Sequence, residues 1–308
     1  MSKQIREVYG ETLVELGREN PDIIVLDADV SSSTCSARFA QTFPERFINC
    51  GIAENNMVSM AAGLAKGGKT VFVNTFAAFI STIGLLGSRS LVAYSKANVK
   101  LMGAYGGLSD AYDGYTHHSI DDFAFMRLIP GMRVFVASDE KMTKEIVRYA
   151  ASIDGPVYVR LSRDAIPDLP RISSLDMNKG SLLRKGNDVT IIACGAMCGP
   201  ALEAAEKLAE ENIQARVVDL FSLKPVDKQL ICDCARETGA IVTAEEHSVL
   251  GGLGSIVAEV VTSCGCPVPV IPVGVQDTVT ESGPYPQLLK KYGLDSSSII
   301  NAVRKIKK

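Results

Sequence analysis

The chain has 308 residues and a formal net charge of -3, with 32 Lys and Arg against 35 Asp and Glu. That length can bury the cores of two α/β domains, and 26 Gly with 13 Pro exclude a fibrous or low-complexity protein. The charges are interspersed, so nucleic acid is not the expected partner; the one basic run, Arg304-Lys305-Ile306-Lys307-Lys308, reads as the solvated end of a last helix.

The amino terminus, MSKQIREVYGETL, is charged and amphipathic, and no apolar run reaches the length of a membrane span. A soluble, cytoplasmic chain with no membrane partner is expected. Eight cysteines include the pairs Cys194 and Cys198, Cys232 and Cys234, and Cys264 and Cys266, none in C-x-x-C spacing. They read as reduced buried thiols, with zinc the alternative.

Taken in order, residues 3–18 carry Ile5, Val8, Tyr9, Leu13 and Leu16 at helical spacing, and Asn20-Pro21 stops that helix. A strand over 23–26 leads into Asp27-Ala28-Asp29-Val30-Ser31-Ser32-Ser33-Thr34, a polar strand-end loop suited to presenting hydroxyls and carboxylates. Residues 47–50 read as a short buried strand, followed by a helix bearing Met57, Met60, Ala61 and Leu64. Glu54 sits at the turn between them, either as a first-turn residue favoured by the helix dipole or as a site acid.

A strand over 70–74 delivers Thr75-Phe76-Ala77-Ala78-Phe79 into another helix, and a strand over 99–102 precedes the longest irregular stretch, GAYGGLSDAYDGYTHHS over 103–119. Loops this long inside compact α/β domains are usually functional, and this one holds His117 and His118 with Asp110 and Asp113; an incidental surface loop is the other reading. Helix 121–128, strand 133–136, helix 139–151 and strand 157–161 continue the alternation, which predicts a mostly parallel sheet.

Residues 163–188 lose apolar periodicity and contain Pro167, Pro170, Ser173 and Ser174, as an interdomain connection would. A second alternating series follows, with strands over 189–193, 215–220, 240–243 and 268–273 and helices over 199–212, 226–237, 252–263 and 295–307. The expected organisation is a domain over 1–165, a linker over 166–187 and a second α/β domain over 188–308. Gly251-Gly252-Leu253-Gly254 lacks dinucleotide-binding spacing and reads as a tight turn.

Four motifs together carry a resemblance that covers essentially the whole chain. The run from Gly51 to Gly63, the Thr75-Phe76-x-x-Phe79 turn, the Asp113-Gly114-Tyr115-Thr116-His117 loop and the Leu161-Ser162-Arg163 strand end resemble, in order and spacing, the carboxy-terminal half of transketolases. The segment VTAEEHSVLGGLG over 242–254 is similar to that family's last domain. The resemblance implies a thiamine pyrimidine-binding domain followed by the transketolase-type C-terminal domain, each with a mostly parallel sheet flanked by helices. No Gly-Asp-Gly occurs in these residues. The chain therefore resembles one subunit of a split transketolase, whose amino-terminal partner brings the diphosphate and magnesium ligands, with two copies of each subunit and no metal ligands here.

Residue by residue, the resemblance implies that Glu54 engages the cofactor's aminopyrimidine nitrogen and that Phe76 and Phe79 pack the pyrimidine. Thr82, also implied to bind the cofactor, stands where well-known members have a tyrosine, so less extensive stacking on the pyrimidine is expected. Asp113 and His117 match a sugar-hydroxyl ligand and an imidazole near the reacting carbons, suited to proton transfer. Arg6, Ser33 and Arg163 match residues that hold the sugar's terminal phosphate, with surface ion pairing as the plain alternative. His118 replaces a usual glutamine and takes no assigned role. Tyr105 stands where a histidine is usual, either lining the sugar channel or packing against the loop. The implied activity is transfer of a two-carbon ketol unit between sugar phosphates through thiamine diphosphate. A 2-oxo acid dehydrogenase beta subunit and a non-catalytic binding subunit are the alternatives, the first disfavoured by the Asp113–His117 loop and Arg163.

Overall fold

The computed structural model describes residues 3–172 and 175–307. Ser173, Ser174 and the terminal Lys308, which belong to the expected connection and basic tail, lie outside the described residues. Among the described residues the strands are β1 (Ile23–Asp27), β2 (Phe47–Asn49), β3 (Thr70–Phe76), β4 (Val99–Ala104), β5 (Arg133–Val136), β6 (Val157–Arg160), β7 (Ser181–Arg184), β8 (Val189–Ala193), β9 (Ala215–Asp219), β10 (Ser222–Lys224), β11 (Ile241–Ser248) and β12 (Val270–Val275).

These strands form two sheets, ordered β10-β5-β6-β4-β3-β1-β2 and β12-β11-β8-β9-β7. Within each sheet the pairs are parallel except β5 with β10 and β7 with β9. The architecture is two layered α/β domains with mostly parallel sheets, as the alternating pattern predicts. Central strand β3 shows why: all seven of its residues are buried, because helices cover both faces of a parallel sheet.

Several local expectations change. β2 is a half-exposed edge strand rather than a buried one, because among the described residues it pairs with β1 alone. The polar segment after β1 contains a helical turn, Ser31–Thr34. The buried carboxylate of Asp27 accepts from Val30 N (2.7 Å), Thr34 Oγ1 (2.9 Å) and Ser36 Oγ (2.8 Å) and so braces the turn. Residues 181–184, inside the segment expected to be connection, form β7 on the edge of the second sheet. Strand β10, from the second half of the chain, crosses over to cap the first sheet against β5. Helices Ala37–Thr42 and Tyr285–Lys291 also escape a periodicity reading, being six and seven residues long.

One buried cation ties the two sheets together. Arg160, at the end of β6, donates from Nε and Nη2 to the two oxygens of Asp122 (3.0 and 2.6 Å), from Nη2 to the Ser119 carbonyl, and from Nη1 to the Glu246 carbonyl on β11 (2.8 Å). Tyr158 Oη also donates to Asp122 (2.5 Å), and the guanidinium lies 4.0 Å from the centroid of the Phe123 ring. Both charged partners are almost wholly buried, so removing one strands the other in a low-dielectric environment. Arg160→Met should therefore cost about 3–5 kcal/mol of unfolding free energy in equilibrium urea denaturation, against less than about 1 kcal/mol for Arg236→Met in an exposed ion pair.

Candidate functional site

The carboxyl ends of parallel strands are where an α/β sheet meets its ligands, since the loops there diverge and leave a crevice. Four strands of the first sheet deliver predicted residues to that edge: Ser33 follows β1, Glu54 follows β2, Phe76 and Phe79 bracket the end of β3, and Tyr105 follows β4. Arg163 lies three residues beyond β6. Arg6 reaches the same edge from the helix Ile5–Glu19.

Glu54 opens the helix Glu54–Lys66 and is 4% exposed. Its side-chain hydrogen bond among the described residues is a long one, 3.5 Å from Thr75 Oγ1, so the carboxylate is held in a dry place with acceptor capacity to spare. Thr75 directly precedes Phe76, so the carboxylate lies against the strand that ends in the aromatic turn.

Phe76 and Phe79 have ring centroids 5.8 Å apart, and two more predicted residues join them. Tyr105 stacks on Phe76 at 4.8 Å with 13° between planes, while His117 meets Phe79 edge-on at 5.0 Å. Thr82 does not contribute a hydroxyl to this cluster; it is exposed and donates to the Ala78 carbonyl at 2.6 Å, closing on its own helix.

Tyr105 also organises the cationic end. Its backbone is left-handed, φ +58°, an uncommon conformation for a non-glycine residue, and its side chain is engaged by Phe76 and by two arginines. Arg6 Nη1 donates to its hydroxyl at 2.6 Å and to the Ser33 carbonyl at 3.4 Å. The guanidinium of Arg163 stands 5.2 Å from the ring centroid, and that of Arg6 5.7 Å. Arg6, Ser33, Tyr105 and Arg163 thus form one group, with neither arginine in a carboxylate ion pair among the described residues.

The long loop brings Asp110, Asp113 and His117 together, with their carboxylate and imidazole atoms all within 4.8 Å of one another. Asp113 is exposed and His117 half-buried. Asp110, which sequence reasoning noted without assigning a role, is 2% exposed, and its Oδ2 has no hydrogen-bond partner among the described residues. Burial, and then the charge and hydrogen bond of Asp113, push its carboxyl up to about 7, against the opposing pull of Arg163.

Sequence reading missed what holds this loop. Glu246 accepts from Leu108 N through Oε1 (2.6 Å) and from Tyr285 Oη through Oε2 (3.0 Å). A Cβ on Gly107, whose φ is +66°, would lie 2.4 Å from the Glu246 carboxyl carbon, so only glycine passes beneath it. His118 is buried, with Nδ1 paired to Thr280 Oγ1 at 2.7 Å and Nε2 to the Ala111 carbonyl at 3.3 Å, and its imidazole is held below the usual histidine range by burial. The extra histidine is a latch to the second domain. The adjacent Glu-Glu-His in β11 was the one available signal, since a charged triplet inside a buried strand must find partners.

Residues 1–168 match the transketolase pyrimidine binding domain and residues 178–299 the transketolase C-terminal domain. The chain belongs to the transketolase family, and with that goes the use of thiamine diphosphate. It is 40% identical over 296 residues to a subunit of the apulose-4-phosphate transketolase of Phocaeicola vulgatus, covering 96% of this chain and 94% of that protein. It is also 40% identical over 303 residues to the SqwH subunit of the 6-deoxy-6-sulfo-D-fructose transketolase of a Clostridium species, covering 98% and 94%. A split gene transketolase solved as an inactive beta4 tetramer superposes with a TM-score of 0.89 at 48% identity, over 99% of this chain and 98% of that one. Within the family the chain is the carboxy-terminal section of a split transketolase, a transferase subunit and not the beta subunit of a 2-oxo acid dehydrogenase.

The raised carboxyl of Asp110 has a measurable sign. The folded chain keeps a proton up to about 7 that the unfolded chain releases near about 4, so between those limits the folded state binds more protons and its stability falls as pH rises. Asp110→Asn removes this dependence. Its stability relative to the parent, from urea denaturation at several pH values, should rise from pH 4 to pH 7 and level off above; a constant difference would remove the buried, protonated Asp110.

Proposed function

We propose that this chain supplies the pyrimidine and sugar side of a thiamine-dependent two-carbon transfer, and that an amino-terminal partner subunit supplies the diphosphate and magnesium side. The observation that carries this reading is the convergence of Glu54, the Phe76–Phe79 turn and the Asp113–His117 loop at one sheet edge. The residues fit the cofactor's pyrimidine half: a buried carboxyl with spare acceptor capacity is bonded to the strand end that carries the Phe76–Phe79 pair. When bound, thiamine diphosphate supplies the nucleophilic carbon and the electron sink for the transfer.

Glu54 would engage the pyrimidine ring nitrogen through its carboxyl group, which is buried and has hydrogen-bonding capacity to spare. Phe76 and Phe79 would pack against the ring and exclude water from it. Asp113 accepts from a sugar hydroxyl, and His117, half-buried and braced edge-on by Phe79, moves a proton at the substrate's oxygens. Arg6 and Arg163, flanking Tyr105, hold the anionic end of the sugar, for which planar guanidinium groups are well suited. Ile52, Leu86 and Tyr94 are exposed at 83%, 66% and 87% on segments that precede or pack against the Glu54–Lys66 helix, apolar surface available for pairing with a second copy in a two-plus-two assembly.

Tyr105 sets the substrate. A phenol is longer than an imidazole and cannot become a cation, so it narrows the channel while leaving Arg6 and Arg163 beside it for the anion. The reading is a phosphorylated or otherwise anionic sugar other than the common pentose pair. Relatives named for apulose 4-phosphate and for 6-deoxy-6-sulfo-D-fructose support it.

Two measurements check this. The purified chain alone should bind thiamine diphosphate weakly in calorimetry and turn over no sugar; tight binding without a partner would contradict the division of labour. In the assembled complex, Glu54→Gln should leave assembly intact and lower kcat by about 10²-fold or more. In the same complex, xylulose 5-phosphate with ribose 5-phosphate should not give the highest kcat/KM of a broad ketose and aldose panel. That pair ranking first, unchanged by Tyr105→His, would overturn the substrate assignment.

A further inference from the structure

Far from the strand-end site, three cysteines meet where the helices Lys228–Thr238 and Leu253–Ser263 pack together. The expectation of reduced thiols fails here: Cys232, on the first helix, is bonded to Cys264, the residue that follows the second, across a sequence separation of 32. Cys266 Sγ lies 3.0 Å from Cys264 Sγ, and all three sulfurs fall within 4.8 Å of one another. What folds Cys266 back is the intervening Gly265, with φ +68°, together with the bond from Cys266 N to the Val261 carbonyl at 3.2 Å. Cys232 is buried, whereas Cys264 and Cys266 are half-buried and reachable by small reagents. Nearby Cys234 takes no part, because it points across the helix to Arg216 Nη1 at 3.7 Å.

We propose that Cys232, Cys264 and Cys266 form a thiol–disulfide exchange site, with Cys266 as the resolving thiol and low-molecular-weight thiols and disulfides as its reactants. The internal step is balanced. Cys266, as thiolate, attacks Cys264 Sγ; the Cys264–Cys266 bond forms as the Cys232–Cys264 bond breaks, and Cys232 leaves as thiolate and takes up the proton that Cys266 released. No net oxidation occurs. Opening the site to three thiols takes two equivalents of a small thiol, which leave as its disulfide, and closing it takes one equivalent of such a disulfide. Exchange changes the mechanical link: Cys232–Cys264 staples two helices, while Cys264–Cys266 closes a three-residue turn and frees them. The same three sulfurs could be read as a metal site, but structural zinc is closed by four protein ligands, and no fourth Cys, His, Asp or Glu joins this group among the described residues.

The test uses the full chain equilibrated in reduced and oxidised glutathione buffers of defined ratio, acid-quenched, alkylated, digested and mapped by mass spectrometry, with bound metal measured on the same sample. At the oxidised end both the Cys232–Cys264 link and the internal Cys264–Cys266 link should be found. Cys266→Ser and Cys266→Ala, each checked for native circular dichroism, should leave only the first link and slow its reduction by glutathione by about tenfold or more. Three alkylated thiols at every ratio would overturn the proposal. So would a Cys232–Cys264 link whose reduction rate ignores both substitutions, or one equivalent of zinc retained by the parent chain and lost in the variants, which would make the group a metal thiolate site.

Discussion

A buried guanidinium is the constraint on which the rest of this structure depends. Arg160 ends β6 at the carboxyl edge of the first sheet, and its donors reach the Asp122 carboxylate, the Ser119 carbonyl at the close of the long loop, and the Glu246 carbonyl in the second sheet. A cation so deeply buried is tolerable only if its donors are met and its charge is balanced nearby, so the loop, the helix that starts at Asp122 and β11 must all come to it. Phe123 stacks between Arg160 and His247, at 4.0 Å from the guanidinium and 4.7 Å from the imidazole, and closes the junction to water.

The second domain thereby acquires a function that its own residues do not advertise. It carries none of the predicted site residues, yet Glu246, Tyr285 and Thr280 hold both ends of the loop that presents Asp113 and His117. A loop of that length would otherwise be a conformational ensemble, and placing two polar groups within reach of one substrate would cost much of the binding energy in ordering them. Bonds at Leu108 and at His118 fix it to the second domain within the folded chain. The cationic end follows the same logic: Tyr105 is fixed by stacking on Phe76 and by its hydrogen bond from Arg6, so the arginines are aimed by an aromatic ring rather than by carboxylates that would neutralise them.

Much of the first sheet's edge was legible in the sequence because its signals are local. Glu54 between a strand and a helix, Phe76 and Phe79 one turn apart, and Asp113 with His117 in one loop each sit within a few residues, and the family resemblance supplied the roles expected of them. What escaped was non-local or too short to show a period. Arg6 and Tyr105 are 99 residues apart, Leu108 and Glu246 138, and His118 and Thr280 162, so no window of sequence contains either half of those contacts with the other. Strand β10 has three residues, two of them opposing β5 across an irregular register, and nothing in Ser222–Lys224 says which sheet it will join. The Cys232–Cys264–Cys266 group escaped for a similar reason: its spacing fits no metal motif, and only the packing of two helices brings the sulfurs together.

The central claim is that the dry carboxyl at the start of the Glu54–Lys66 helix and the aromatic turn beside it form the receptor for the cofactor's pyrimidine. A structure of this chain assembled with its amino-terminal partner and thiamine diphosphate tests it most directly. The account predicts a Glu54 carboxyl oxygen within hydrogen-bond reach of the aminopyrimidine ring nitrogen, about 2.6–3.2 Å, with the ring packed against Phe76 and Phe79. A pyrimidine bound elsewhere, or one whose ring nitrogen meets water or a partner residue while Glu54 keeps only its contact with Thr75, would contradict it.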